Sequence, residues 1–314
     1  MSLPVPPVDL RESSCGRRDF LIRSAALGIA GSATAATGSA WLRAAEPTDQ
    51  AGWQLGCFTR PFAEFSYADT VAAIASAGYS AIGLMAARLP TGNVTLADAN
   101  DSQVDEIRSI ASQGGLAIAA TYYGGPPVNR SFAAGVEAIE RLIENCARSG
   151  CATILLGGTA NEDLFDDYFR VIEQVCDQAA EKQVSLVLKP HGGLNATGPQ
   201  CRKIVERVNH PAFRIWYDPG NIFYYSEGGL NPLDDVAEVA GLVTGMCVKD
   251  FRPPQDVALN PGEGQVDFPE LFKRLAEGGF RSGPLIVETL APGDLATTTT
   301  NASKTRQFLQ SVLR

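Results

Sequence analysis

The stretch from Ser185 to Gly193 joins a short, buried type of strand to side chains that can do chemistry. Its first four residues, Ser-Leu-Val-Leu, are too few for a helix and are typical of a strand covered on both faces. Lys189, Pro190 and His191 follow directly, and then two glycines. An amine and an imidazole at the end of a buried strand are placed as α/β enzymes place groups for charge stabilisation and proton transfer. The alternative is that both side chains only solvate a loop.

Short apolar segments alternate with segments of helical periodicity from residue 50 to the end of the chain. The predicted strands are 53–58, 80–85, 116–123, 152–157, 185–188, 213–217, 244–248 and 285–288. The predicted helices are 67–77, 102–113, 132–149, 164–182, 199–208, 233–240, 268–277 and 303–313. Because each strand is followed by a helix and no linker interrupts the series, the sequence predicts an α/β fold, a single-domain (β/α)8 TIM barrel over residues 50–314.

In such a barrel, reactive side chains lie at the carboxyl ends of the strands and in the loops just after them. The candidates at these ends are Arg60, Tyr122, Tyr123, Lys189, His191, Asp218, Asn221, Lys249, Asp250 and Glu288. Trp216 lies within the sixth strand, and Glu263 lies between glycines in the long loop after the seventh. Three alternatives stay open: a core position for Trp216, an ion pair between Lys249 and Asp250, and a solvated loop tip for Glu263.

The N-terminus has a different character from the barrel. Cys15-Gly16-Arg17-Arg18-Asp19-Phe20-Leu21-Ile22 resembles the twin-arginine export signal, and an Ala/Gly-rich run from Ser24 to Ala40 follows it. That run has too few large apolar residues for a membrane span. Small residues at Gly38 and Ala40 suit cleavage. We therefore expect residues 1–45 to be a signal peptide with a short linker, and the mature protein to be periplasmic or otherwise exported.

The composition and net charge of the chain limit the classes of molecule that it is expected to bind. The chain has 314 residues, 45% of them apolar, with a net charge of −9, which argues against nucleic acid and gives no attraction to anionic membranes. It also weighs against polyphosphorylated substrates. The seven cysteines include no C-x-x-C pair, so buried free thiols are expected.

The second half of the chain resembles the xylose isomerase-like TIM-barrel superfamily of sugar isomerases and epimerases. The residues that carry the resemblance are Ser185–Gly193, Trp216–Asn221, Val248–Asp250, Pro261–Phe268 and Leu285–Glu288. The order and spacing of these motifs are more specific than any one of them. The resemblance covers the whole mature chain, together with the alternation of strands and helices upstream.

The resemblance implies one divalent metal, Mn²⁺, Co²⁺, Mg²⁺ or Zn²⁺, held by Glu, Asp, His and Glu on strands five to eight. Asp218 and Glu288 match two of these ligands, but Lys189 and Cys247 stand at the other two positions. The acidic residue usual at the end of strand two is also replaced, by Gly83. A protonated amine cannot ligate a cation and repels it.

Two interpretations follow. In the first, Asp218, Glu288 and His191 hold a metal, with Cys247 as a soft fourth ligand. In the second, which we favour, Lys189 replaces the metal and is compensated by the two carboxylates. Its charge then stabilises an enediolate oxyanion while His191 or Glu263 transfers the proton.

The resemblance implies an exported sugar isomerase or epimerase, or a related lyase, that acts on a non-phosphorylated carbohydrate or keto-sugar. The catalytic residues expected on this basis are Lys189, His191, Glu263 and Glu288. The substrate-binding residues expected are Arg60, Tyr122, Tyr123, Trp216, Asn221, Lys249 and Asp250. The alternative is a periplasmic barrel that binds sugars without catalysis. A nuclease is disfavoured by the charge and by the missing ligands.

Overall fold

The computed structural model describes residues 52–313, which form the predicted barrel. The barrel has eight parallel strands, which are β1 (Trp53–Phe58), β2 (Ala81–Leu84), β5 (Ala117–Tyr123), β6 (Thr153–Leu156), β7 (Ser185–Leu188), β8 (Phe213–Tyr217), β9 (Val243–Val248) and β10 (Gly283–Val287). They close the barrel in the order β1-β10-β9-β8-β7-β6-β5-β2. The structure confirms the predicted α/β fold class. The predicted signal segment lies outside the described residues.

Helices cover the outside of the barrel. They are α1 (Tyr67–Ser76), α2 (Asp101–Gln113), α3 (Phe132–Ser149), α4 (Glu162–Glu181), α5 (Gly198–Val208), α6 (Pro219–Tyr225), α7 (Pro232–Asp235), α8 (Phe268–Glu277) and α9 (Leu295–Val312). Capping boxes start α2 at Asn100 and α5 at Thr197. No helix between residues 52 and 313 is long and apolar enough to cross a membrane.

Four parts of the structure differ from the predictions. An antiparallel hairpin, β3 (Ala87–Leu89) and β4 (Gly92–Val94), follows β2 and was not predicted. The short helix α6 was also missed, and the segment expected as a helix over 233–240 is α7 followed by a 3₁₀ turn. The last helix begins at Leu295, eight residues before the predicted start at Ser303. The hairpin and α6 both lie in loops after strands, and both border the candidate site.

The inside of the barrel is filled by alternating large and small residues. One inward-facing layer contains Val187, Trp216, Cys247 and Ile286, all buried. The Trp216 ring occupies the space beside Gly245, where an added Cβ would lie 2.3 Å from the ring. The Phe58 ring fills the corresponding space at Gly83, 2.5 Å from an added Cβ. The glycine at the position where the resemblance implies an acidic residue is therefore matched by an aromatic ring.

Candidate active site

A layer of alternating charge lies directly above this apolar layer. Its four members belong to the neighbouring strands β7, β8, β9 and β10 and follow their last residues. Each stands two positions beyond an inward-facing residue of the apolar layer, so the period of two in a strand points it into the barrel mouth. The members of this charged layer are, in strand order, Lys189, Asp218, Lys249 and Glu288.

The four side chains form a closed ring of ion pairs. Lys189 Nζ lies 3.1 Å from Asp218 Oδ2 and 2.7 Å from Glu288 Oε2. Lys249 Nζ lies 3.1 Å from the same Asp218 Oδ2 and 2.7 Å from Glu288 Oε1. None of the four side chains is more than 3% exposed. Each charge therefore faces two charges of the opposite sign in a site closed to water.

Both signs of charge persist at this burial. Burial alone disfavours the ammonium of Lys189, but Glu288 and Asp218 outweigh it and hold the pKa of Lys189 well above its usual value. Burial likewise opposes ionisation of Glu288, but Lys189 and Lys249 lower the pKa of that carboxyl well below its usual range. Lys189 and Glu288 are thus both ionised at neutral pH.

Arg60 adds a fifth charge at the rim of the barrel. Its Nη1 donates to Glu288 Oε1 over 2.8 Å, while its side chain stays 47% exposed. Three cations against the carboxylates of Asp218 and Glu288 leave one positive charge at the mouth. Arg60 and Glu288 also line a cleft of about 220 Å³ together with Pro61, Val257, Ala258, Thr289, Leu290 and Pro292. The charged residues among those that line this cleft are Arg60 and Glu288, and Arg60 is the more exposed of the two.

The sequence Asp218-Pro219-Gly220-Asn221 holds the carboxylate and Lys249 in register. Asp218 is the N-cap of α6, and its Oδ1 accepts the backbone N–H of Asn221 over 3.0 Å. Asn221 then accepts from Lys249 Nζ at 3.0 Å and donates to the carbonyl of Pro190 at 2.7 Å. An added Cβ at Gly220 would lie 2.6 Å from Lys249 Cγ, so glycine is required there.

His191 stands between two aromatic rings near the charged layer. Its ring centroid lies 6.0 Å from that of Tyr122 and 5.5 Å from that of Tyr225 on α6. Burial, and then the charge of Lys189, lower the pKa of His191 from 6.5 to about 4. The imidazole is therefore neutral at pH 7 and has a free pair of electrons to accept a proton. Burial raises the pKa of the Tyr122 phenol, which stays protonated.

Asp250 and Glu263 lie together in a separate arrangement. The Asp250 carboxylate is fully buried and accepts backbone N–H groups from Phe251, Gly262, Gly264 and Val266. Asp250 therefore anchors the loop over 261–266 and makes no ion pair with Lys249, which points into the charged layer. Glu263 is exposed on that loop and accepts from Asn260. Their predicted roles in substrate binding and proton transfer stay predictions.

The three aromatic residues that were predicted to bind substrate do not all lie on the same side of the sheet. Trp216 is 1% exposed in the apolar layer beneath Asp218, which matches the alternative of a core position. Tyr122 packs against that inner layer and faces Lys189, whose Nζ lies 5.6 Å from its ring centroid. Tyr123 packs against the outer core between strands and helices. Tyr122 is thus the ring of this pair that borders the charged layer.

Asn195 is a residue of the site that sequence reasoning missed. Its Nδ2 donates to the carbonyl of Gly157 and to the carbonyl of Lys189, each over 2.9 Å. It therefore ties the end of β6 to the end of β7 and fixes the backbone that carries Lys189. Only the preceding glycine pair, Gly192-Gly193, marks this turn in the sequence, and it does not single out Asn195.

Comparison with known proteins places the barrel in a family. A profile of the xylose isomerase-like TIM barrel family matches residues 71–312. The chain belongs to this family. Inosose dehydratase from Clostridium botulinum (strain Eklund 17B / Type B) is 23% identical over 168 residues, 48% of this chain and 55% of that protein. The chain spans about half the length of the curated relatives it matches.

Solved structures share the fold at low identity. A xylose isomerase-like TIM barrel protein from Mycobacterium smegmatis, in complex with magnesium, superposes with a TM-score of 0.67 at 18% identity, over 83% of this chain and 98% of that one. D-psicose 3-epimerase from Clostridium cellulolyticum H10, with D-tagatose, gives 0.65 at 14%, over 83% and 99%. At these identities the likeness shows the fold of this xylose isomerase-like barrel and no more.

One structural relative is in complex with magnesium, which raises the question of whether the donor groups of this barrel suit a divalent cation. Ligand atoms of Asp218, Cys247 and Glu288 lie within 4.8 Å of one another, close enough to reach one ion. The predicted third ligand, His191, is not part of this group. Cys247 belongs to the apolar layer below, where burial raises the pKa of its thiol and keeps it protonated.

The arrangement of charges does not fit a divalent cation. Every oxygen of the two carboxylates already accepts a hydrogen bond or ion pair, from Lys189, Lys249, Arg60 or the Asn221 backbone. Two ammonium groups within 3.1 Å of those oxygens would repel an added cation. The positive charge available for catalysis at this site is therefore that of the side chains.

Proposed function

We propose that this xylose isomerase-like barrel catalyses proton transfer next to a carbonyl group in a non-phosphorylated carbohydrate or keto-sugar, as an isomerase, epimerase or related lyase. The observation that carries the proposal is the excess positive charge at the mouth beside a neutral imidazole. Chemistry of this kind needs a base for the proton and a cationic surface for the oxyanion that results. The names of the relatives, an inosose dehydratase and a D-psicose 3-epimerase, support the same class.

Residues at the rim of the barrel transfer the proton and contact the oxyanion, and buried residues below them, the floor, supply fixed positive charge. His191 at the rim takes the proton from the carbon next to the carbonyl, and the electron pair moves onto the carbonyl oxygen to give an enediolate. Arg60 donates to that oxygen. Lys189 and Lys249 lie below as a buried floor whose ammonium groups are already oriented, so no solvent has to reorganise when the charge develops. Return of the proton to another carbon or face gives the isomer or epimer.

A lyase outcome uses the same intermediate. If the enediolate carries a hydroxyl group on the adjacent carbon, that hydroxyl leaves as water with the proton from His191, and a carbon–carbon double bond forms. The electron pair moves from the enediolate oxygen back through the carbon skeleton, so no oxidant or reductant is required. The substrate, rather than the charged layer, then determines which product forms.

We also propose that the enzyme acts after export. Arg17-Arg18 followed by Phe20-Leu21 and the Ala/Gly-rich run to Ala40 support this. Fusion of residues 1–45 to a reporter that is active only outside the cytoplasm tests it. Replacement of both arginines by lysine should abolish reporter activity, whereas replacement of Arg11 should not. A signal that survives loss of the arginine pair would contradict twin-arginine export.

Solvent exchange tests the chemistry without knowledge of the product. The protein is incubated in D₂O with D-tagatose or an inosose, and NMR follows deuterium entering the carbon next to the carbonyl. His191→Gln should lower the exchange rate on the order of 100-fold, the range for loss of an acid–base group. His210→Gln is the matched control, because His210 lies at the opposite end of the barrel beside Asp177, and it should exchange like the wild type.

The same assay separates the competing interpretations. Exchange that survives excess chelator supports the cation-free charged layer, and exchange lost to chelator and restored by Mn²⁺ contradicts it. The self-neutralised, buried ring of Lys189, Asp218, Lys249 and Glu288 also suits a barrel that only binds sugars. Sugar binding by calorimetry without exchange on any probe would favour that second function over the enzyme.

A further inference from the structure

A second cavity beside the charged layer is lined by two arginines. It has a volume of about 60 Å³, room for a small polar group and not for a sugar ring. Arg60 comes from the end of β1 and Arg88 from the hairpin strand β3, and no acidic side chain of residues 52–313 lines the cavity. Its other polar lining residues are Thr59, Tyr67, Thr70 and Asn93. The lining is therefore cationic.

Both guanidinium groups retain free donors. Among residues 52–313, Arg60 uses Nη1 alone, for Glu288, so Nε and Nη2 have no partner there. Arg88 donates from Nε to the carbonyl of Ala63 at 3.2 Å, and its Nη2 lies 3.7 Å from Glu64, a side chain that is 87% exposed. That contact is long and screened by water. The unused N–H groups form a fork suited to a planar anion.

We propose that the substrate is an acidic sugar whose carboxylate binds between Arg60 and Arg88. This inference rests on the proposed function, because it orients the substrate of the same site. Arg60 lines both this cavity and the larger cleft of about 220 Å³, so the carboxylate lies in the small cavity and the sugar body extends into the cleft past Glu288.

Binding measured by calorimetry tests this independently of turnover. The probes are D-fructose and 2-keto-D-gluconate, which share the keto group at C2 and the configuration from C3 to C5 but differ in having a hydroxymethyl or a carboxylate at C1. The acid should bind about tenfold more tightly, the gain expected from charge-assisted hydrogen bonds. D-Fructose 1-phosphate is the third probe. Tighter binding of the phosphate than of the acid would overturn the assignment to a carboxylate.

Variants locate the site. Arg88→Gln should remove most of the tenfold preference while changing D-fructose binding less than about twofold. Arg170→Gln, which removes a similarly exposed arginine from α4, is the matched control and should keep the preference. Equal affinity for both sugars, no binding of the acid, or a preference unchanged in Arg88→Gln would overturn the proposal. Acid binding without deuterium exchange would support the proposal while contradicting the enzyme function.

Discussion

Asp218 and Asp250 are equivalent in type and burial but differ in what they bind. Each is 0% exposed, and each follows the end of one of two neighbouring strands, β8 and β9. Asp218 faces the ammonium groups of Lys189 and Lys249. Asp250 faces four backbone N–H groups. Burial of a carboxylate therefore does not by itself define its role. The nature of its partners does.

The difference has physical consequences. Backbone N–H groups cannot move without the loop over 261–266, so Asp250 serves to fix local structure. Lysine ammonium groups carry whole charges and are held in place by the two carboxylates, so the charged layer can stabilise charge that develops above it. The first region should therefore control mainly stability, and the second both stability and chemistry.

The largest stability change is expected at the structural carboxylate. Asp250→Ala leaves four buried or partly buried N–H groups without their acceptor and should lower the free energy of unfolding by about 4 kcal/mol. Urea unfolding followed by circular dichroism measures it. The control is Asp267→Ala, which removes an exposed N-cap of α8 and should cost about 1 kcal/mol. Equal losses in the two variants would remove the distinction drawn for Asp250.

The charged layer should show strong coupling instead. Lys189→Met leaves Asp218 and Glu288 with one fewer cation and should cost about 3 kcal/mol, as expected when a buried ion pair is broken on one side. Glu288→Gln should be destabilising for the complementary reason. Because the two substitutions remove opposite charges, the double variant should be about 2 kcal/mol more stable than the sum of the single losses predicts. Simple additivity in the double-mutant cycle would contradict the closed ring.

His191 should give the barrel an acid-sensitive component of stability. Its pKa is lowered from 6.5 to about 4, so between these values the unfolded chain binds more protons than the folded protein. The contribution is complete above pH 6.5 and is lost as the pH falls towards 4. It amounts to about 2 kcal/mol after a discount for partial exposure.

This component can be measured against a variant that lacks it. His191→Gln should lose about 2 kcal/mol less than the wild type between pH 7 and pH 4 in urea unfolding. NMR should show the His191 ring signal titrating near pH 4, with His210→Gln used only to assign the two imidazole signals. Parallel pH profiles for wild type and His191→Gln would contradict the burial of this imidazole beside Lys189.

The sequence was sufficient for the barrel and for three of the four residues of the charged layer. Alternation of strands and helices predicts the fold, and strand ends predict that Lys189, Asp218 and Glu288 meet. Lys249 was predicted to bind substrate and not to belong to the charged layer, because the pattern of Val243–Val248 does not show which residues face inward. The metal-ligand position that the resemblance implies on strand seven was assigned to Cys247, which lies one layer lower than Lys249. Long-range partners, such as the N–H groups bound by Asp250, have no signature in a local pattern.

The smallest change in the free energy of unfolding is expected at Glu263. This residue tests whether the loop anchored by Asp250 takes part in the chemistry of the charged layer. Glu263 sits on the loop that Asp250 anchors, is exposed, and pairs with Asn260 rather than with the charged layer. Glu263→Gln keeps the shape and an acceptor for Asn260, so it should change the free energy of unfolding by less than about 0.5 kcal/mol. Deuterium exchange should fall less than about twofold. A loss as large as that of His191→Gln would make Glu263 the proton-transfer group, and the loop would then have to close over the charged layer during turnover.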